Sequence, residues 1–159
     1  MDKYLSDNGR ALLKNNLLVI GCYAGVSVIG FALYLVSWAT NGSTLTLISV
    51  VSAVLVFIAL FLIGYLVVKP LPKYKYLSAI GLALLLLVPA IVFALQGISE
   101  VTGGAVELYI FTAVIAPVLA FVSLGDVIAL GPFLLITAAV PVLLIYSGIA
   151  ARTIFKSSL

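Results

Sequence analysis

Glu107 is the only carboxylate inside a long apolar run of this chain, so it is the first residue to weigh for chemistry. A carboxylate held at membrane depth can bind a cation or pass a proton. Its place near the start of residues 105–124 supports a structural role as well. There its charge favours the positive end of a helix and reaches interfacial water. Four prolines, Pro89, Pro117, Pro132 and Pro141, interrupt apolar runs in the second half. Each removes one backbone N–H and can free a carbonyl one turn back, at Leu85, Ala113, Ile128 and Thr137. Broken helices of this kind coordinate ions and substrates in transporters, although simple kinks are the commoner result.

Other chemistry lacks its residues. The chain has no histidine, one cysteine and five acidic residues. Haem sites and most zinc or di-iron sites use His ligands, so no metal or cofactor is expected. Serines and threonines occur along the runs, but no His or intramembrane Lys is present to activate them, and no catalytic residue is expected. Cys22 has no partner for a disulfide. Val19-Ile20-Gly21-Cys22 looks like a lipid-attachment box, but the apolar run continues past the cysteine, which reads as a buried thiol.

These residues must be carried by helices of one kind. Residues 17–38, 45–68, 77–96, 105–124 and 127–151 are almost free of charge. A helix needs about 20 residues to cross the ~30 Å hydrocarbon core, and each run has about that many. The chain of 159 residues is 65% hydrophobic and 8% charged, a balance foreign to soluble domains. The expected fold is therefore all-α, a polytopic integral membrane helical bundle of about five transmembrane helices. Residues 1–159 form a single transmembrane domain with a short polar arm, 1–16. The first helix can begin earlier than residue 17, near Arg10, with its first turns outside the bilayer.

Small residues suggest where the helices touch. Gly21, Gly25, Val28 and Ala32 recur at helical spacing and form a stripe. Such a stripe lets another backbone approach, so this face is expected to pack, first within the chain and otherwise on a second protomer. Ala113, Ala116 and Ala120 form a similar stripe, and the second run carries Ser49, Ser52, Ala53 and Gly64. Tyr23 is placed to reach a carbonyl on a neighbouring helix. Asn41-Gly42-Ser43 reads as a tight turn, Pro70 and Pro72 end the second run, and Asp126 reads as a helix cap.

The bases set an orientation and then contradict it. Lys3, Arg10 and Lys14 precede the first run, and Lys69, Lys73 and Lys75 lie between the second and third. Both regions are expected on the cytoplasmic side, with the N-terminus inside. Five crossings would leave Arg152 and Lys156 outside. Four crossings plus a re-entrant 105–124 segment would bring every base inside. The first spans dominate orientation, so five crossings are expected and four are the alternative.

The expected function is a non-catalytic integral membrane subunit or accessory protein. It would act through helix packing with a membrane protein partner, or as a homo-oligomer, in assembly, stabilisation or protection. The alternative is a small oligomeric transporter or lipid-handling protein with its path in the proline-bearing helices. The net charge of +3 comes from flank charges rather than a basic face, so no nucleic acid partner is expected. Short loops fit the plasma membrane of a prokaryote, with the lipid bilayer itself as the main partner. Glu107→Gln should leave expression and melting of the purified protein nearly unchanged, since a surface dipole contribution is about 0.3–1 kcal/mol. A folded but inactive variant, rescued by Asp at that position, would favour transport.

Overall fold

In the computed structural model, residues 2–41, 47–69, 71, 74–96 and 130–157 are described. They are helical, with no strand among the described residues. Helix α1 spans Asp2–Asn41 and α2 spans Leu47–Leu62. The second helix widens at its end into a π-turn, Ile63–Val67. A 3-10 turn, Lys75–Ala79, leads into α3, Ile80–Gln96. Helix α4 spans Leu130–Ser157.

Three helical stretches, Asp7–Leu33, Lys75–Val92 and Leu135–Phe155, are long and apolar enough to cross a membrane. Ala53–Val67 is a shorter apolar helical stretch. The helices are therefore compatible with membrane insertion, but a count of five spans is not reached among the described residues. The 105–124 segment, with Glu107, Ala113, Ala116, Pro117 and Ala120, lies outside them, as do Asp126 and the turn at Gly42-Ser43.

Helix α1 is longer than the expected first span. Its 40 residues reach roughly 60 Å, about twice the ~30 Å hydrocarbon core. The polar arm is thus not a separate element: from Asp2 onward it is helical and continuous with the apolar part.

The core is built from one face of each helix. Val19 and Tyr23 of α1, Val56 and Leu60 of α2, Leu82 and Leu86 of α3, and Ile145 and Ile149 of α4 are buried together. Outward faces keep large apolar side chains at the surface, among them Leu55, Leu84, Val88 and Leu143. Helices that bury large aliphatics on one face and expose others on the opposite face are compatible with lipid as surroundings.

The closest approach in the bundle is between the end of α2 and α4. A Cβ added at Gly64 would fall on the carbonyl oxygen of Ile145, and one added at Gly148 would meet the Phe61 carbonyl and the Tyr65 amide nitrogen. Two facing glycines thus let the backbones touch. The sequence pointed to Gly64 among several small residues, but the partner Gly148 carried no stripe of its own.

The small stripe of α1 is a correction. Gly21, Gly25, Val28 and Ala32 are exposed, and among the described residues nothing lies within 4 Å of a Cβ added at either glycine. The face that packs within the chain is instead Asn15, Val19, Tyr23, Ser27 and Gly30. Residues 19 and 21 stand about 200° apart around the helix, so one stripe turns away when the other turns in.

Gly148→Leu should therefore abolish folding or lower stability by at least about 3 kcal/mol, because a side chain there meets backbone that cannot move aside. Gly25→Leu should leave the melting of the purified single chain within about 0.5 kcal/mol of the parent. Thermal unfolding of both variants in detergent checks the pair. Equal loss in the two would place the contact on the wrong face.

Candidate functional site

Polar groups in an apolar bundle are few, and here they gather at one end. Asn15 and Asn16 are adjacent in α1, about 100° apart, so their side chains serve two neighbours. Asn15 Nδ2 donates to the Lys69 carbonyl at 2.9 Å and to Ser78 Oγ at 3.4 Å. Asn16 Nδ2 donates to the Leu77 carbonyl at 3.0 Å and to Leu12 of its own helix at 2.9 Å. Its Oδ1 accepts the Gly81 N–H at 2.6 Å. One helix thereby clamps the end of α2 and the start of α3. The glycine at 81 permits this, since a Cβ there would sit 3.0 Å from Asn16 Oδ1.

Arg152 completes the same end from α4. Its Nη1 donates to the Leu66 carbonyl at 3.1 Å and also to the Val68 carbonyl. The π-turn causes the need: Val68 N–H bonds back to the Ile63 carbonyl at 3.2 Å, and the chain then turns out of the helix. Carbonyls at a helix end lack intrahelical donors, and a guanidinium with several N–H groups satisfies two at once. No buried side-chain nitrogen or oxygen among the described residues lacks a partner.

These bonds fix the directions of the helices. Asn15, Lys69, Ser78 and Arg152 meet at one end, so the C-terminal part of α4 lies beside the 69–75 connection and the N-terminal part of α1. Lys14, Lys69, Lys75 and Arg152 mark that end, Lys156 lies one turn beyond, and Lys3 and Arg10 ride on the outward extension of α1. The sequence treats Arg152 as a flank charge; its role as a cap on α2 was missed. Two signals bore on it. Prolines at 70 and 72 leave carbonyls uncapped, and Arg152 follows the last apolar run directly.

Of the transport candidates, Pro89, Pro132 and Pro141 fall among the described residues. Helix α3 runs through Pro89 and α4 runs through Pro141, without a break in either. Leu85 and Thr137, one turn before these prolines, are not left without partners. Pro132 lies within α4, two residues after the first described residue of that helix. Glu107 and Pro117 lie outside the described residues. No group of three His, Cys, Asp or Glu residues that could hold a metal is found among the described residues. Cys22 is half-buried in α1, and Tyr23 is buried in the core.

What remains presented by the described residues is a helix face. On α1 the exposed Gly21, Gly25, Val28 and Ala32 form a shallow strip of accessible backbone, flanked by exposed Leu17 and Ile29. No protein-family model, curated protein or solved structure matches the chain.

Arg152→Met keeps the length of the side chain and removes its donors. It should lower stability by about 1.5–3 kcal/mol, the usual worth of hydrogen bonds to a charged group. Arg152→Lys should recover part of this, since an ammonium donates but lacks the planar fork. Melting in detergent provides the measurement. Parent-like stability of Arg152→Met would show that water caps α2 equally well.

Proposed function

We propose that this chain is a multi-pass integral membrane protein of non-catalytic role, a subunit or accessory protein. It acts by holding another transmembrane helix, from a membrane partner or from a second copy, against the small-residue face of α1. One observation carries the proposal: Gly21 and Gly25 stand exposed, with open space before both among the described residues. The chain has already satisfied its own needs on the other face of α1 and at the Gly64–Gly148 contact. A glycine strip facing lipid gains no helix propensity and little packing, whereas against a second helix it brings backbones close enough for dispersion contacts. The effect of such docking is assembly, stabilisation or protection of the partner.

The arrangement of ends supports four crossings. Helix α1 leaves the base-bearing end, α2 returns to it, α3 leaves again, and α4 returns with Arg152. Gln96, which ends α3, and Leu130, which begins α4, then both lie at the opposite end. The simplest path consistent with this has four crossings, with 105–124 re-entrant or buried, and it removes the conflict over the C-terminal bases. By the positive-inside rule the base-bearing end is cytoplasmic, and the plasma membrane is the proposed location.

Both parts are testable on one protein. In a Cys22→Ser background, single cysteines at Ser6, Lys75 and Lys156 should all be labelled from the cytoplasmic side only. Labelling of position 156 from the opposite side would rule out the four-crossing path. Gly25→Leu should keep its melting behaviour and lose the copurifying partner or the dimer, read by size in mild detergent. Retained association in a folded Gly25→Leu protein would remove the docking role of this face.

A further inference from the structure

Where α1 enters the bundle it carries a shallow, open groove of about 440 Å³ along its outer side, lined by Arg10, Leu13, Lys14, Leu17 and Leu18. These residues recur at three and four along the helix, so they form one patch with a charged end and an apolar end. Arg10 and Lys14 are one turn apart, roughly 6 Å along the axis, close enough for both to reach one phosphate. No acid lines the groove among the described residues; Asp7 lies a turn further out. Leu13, Leu17 and Leu18 are 62%, 60% and 41% exposed.

Depth is fixed by the other side of the same helix. Asn15 bonds to the carbonyl of Lys69, where the second apolar run stops. Arg10 and Lys14 therefore stand at the level of the base-bearing rim, and Leu17 and Leu18 begin the apolar part. Cationic groups above exposed leucines complement a molecule with an anionic head and an apolar tail. A soluble anion would use the bases and leave the leucines in contact with water.

We propose that this groove binds one anionic phospholipid of the leaflet at the base-bearing end. The phosphate lies between Arg10 and Lys14, and an acyl chain lies along Leu13, Leu17 and Leu18. The proposal rests on the reading of the chain as a membrane protein, and it adds a lipid class and a place. Bases near an anionic leaflet contribute roughly fivefold each in affinity, and so about 30-fold for two.

The test incubates the purified full chain with mixed micelles of phosphatidylglycerol and phosphatidylcholine. Retained lipid is then counted by native mass spectrometry. The parent should prefer phosphatidylglycerol by roughly 30-fold. Arg10→Gln with Lys14→Gln should bring the ratio near one, while the charge-keeping pair Arg10→Lys with Lys14→Arg and the remote Lys75→Gln should keep the preference. Equal loss in Lys75→Gln would mean a diffuse field of the whole basic end and would overturn the site. Displacement of the lipid by inorganic phosphate would overturn it in favour of a free anion. Flotation with neutral phosphatidylcholine vesicles separates the two readings. A parent that floats but shows no lipid preference overturns the lipid site alone, and a parent that stays in the aqueous phase overturns both.

Discussion

Helix α2 finishes in a π-turn and is followed by Pro70 and Pro72, which carry no N–H, so fewer backbone donors follow its last carbonyls. In water this is harmless. In an apolar setting each unpartnered carbonyl costs several kcal/mol or must find a donor. The chain supplies two donors from elsewhere: Asn15 reaches the Lys69 carbonyl, and Arg152 reaches those of Leu66 and Val68. The remaining order follows from this requirement. Arg152 fixes the register of α4 against α2, which places Gly148 and Gly64 opposite each other. Asn15 fixes the rotation of α1, which turns Val19 and Tyr23 inward and the small stripe outward.

On the proposed membrane reading, the solvent explains why packing rests on so few points. Between apolar helices in lipid, burying a leucine gains little hydrophobic free energy, because the tails are as apolar as the core. Close backbone contact and hydrogen bonds must decide the arrangement. The Gly64–Gly148 contact supplies the first, and the asparagine and arginine bonds supply the second. The leucines and isoleucines between them fill space.

Much of this was legible in the sequence and part was not. Helical class and the places of the apolar runs followed from length and hydropathy, and α1, α2, α3 and α4 all fall on expected runs. Among the described residues, the packing face of α1 follows its polar groups and not its small ones. Asn15, Tyr23 and Ser27 share a face, and an apolar helix turns such groups toward protein, where Ser27 bonds the Tyr23 carbonyl at 2.9 Å. That signal was present and unused. Gly148 could not be found alone, since a single glycine acquires meaning only from the residue facing it. Arg152 read as a topological charge because charge counting treats a base as a flank and not as a donor.

The long reach of Arg152 has a consequence for synthesis. Its acceptors lie 84 and 86 residues earlier in the chain. At roughly 5–20 residues per second, the ribosome takes about 4–17 seconds to cover that distance. Throughout that interval α2 has been made and its final carbonyls have no guanidinium. Until α4 emerges, those carbonyls must find water or another donor. The contact that caps α2 therefore forms only after α3 and the segment behind it have been made, so an early helix is finished by a late one.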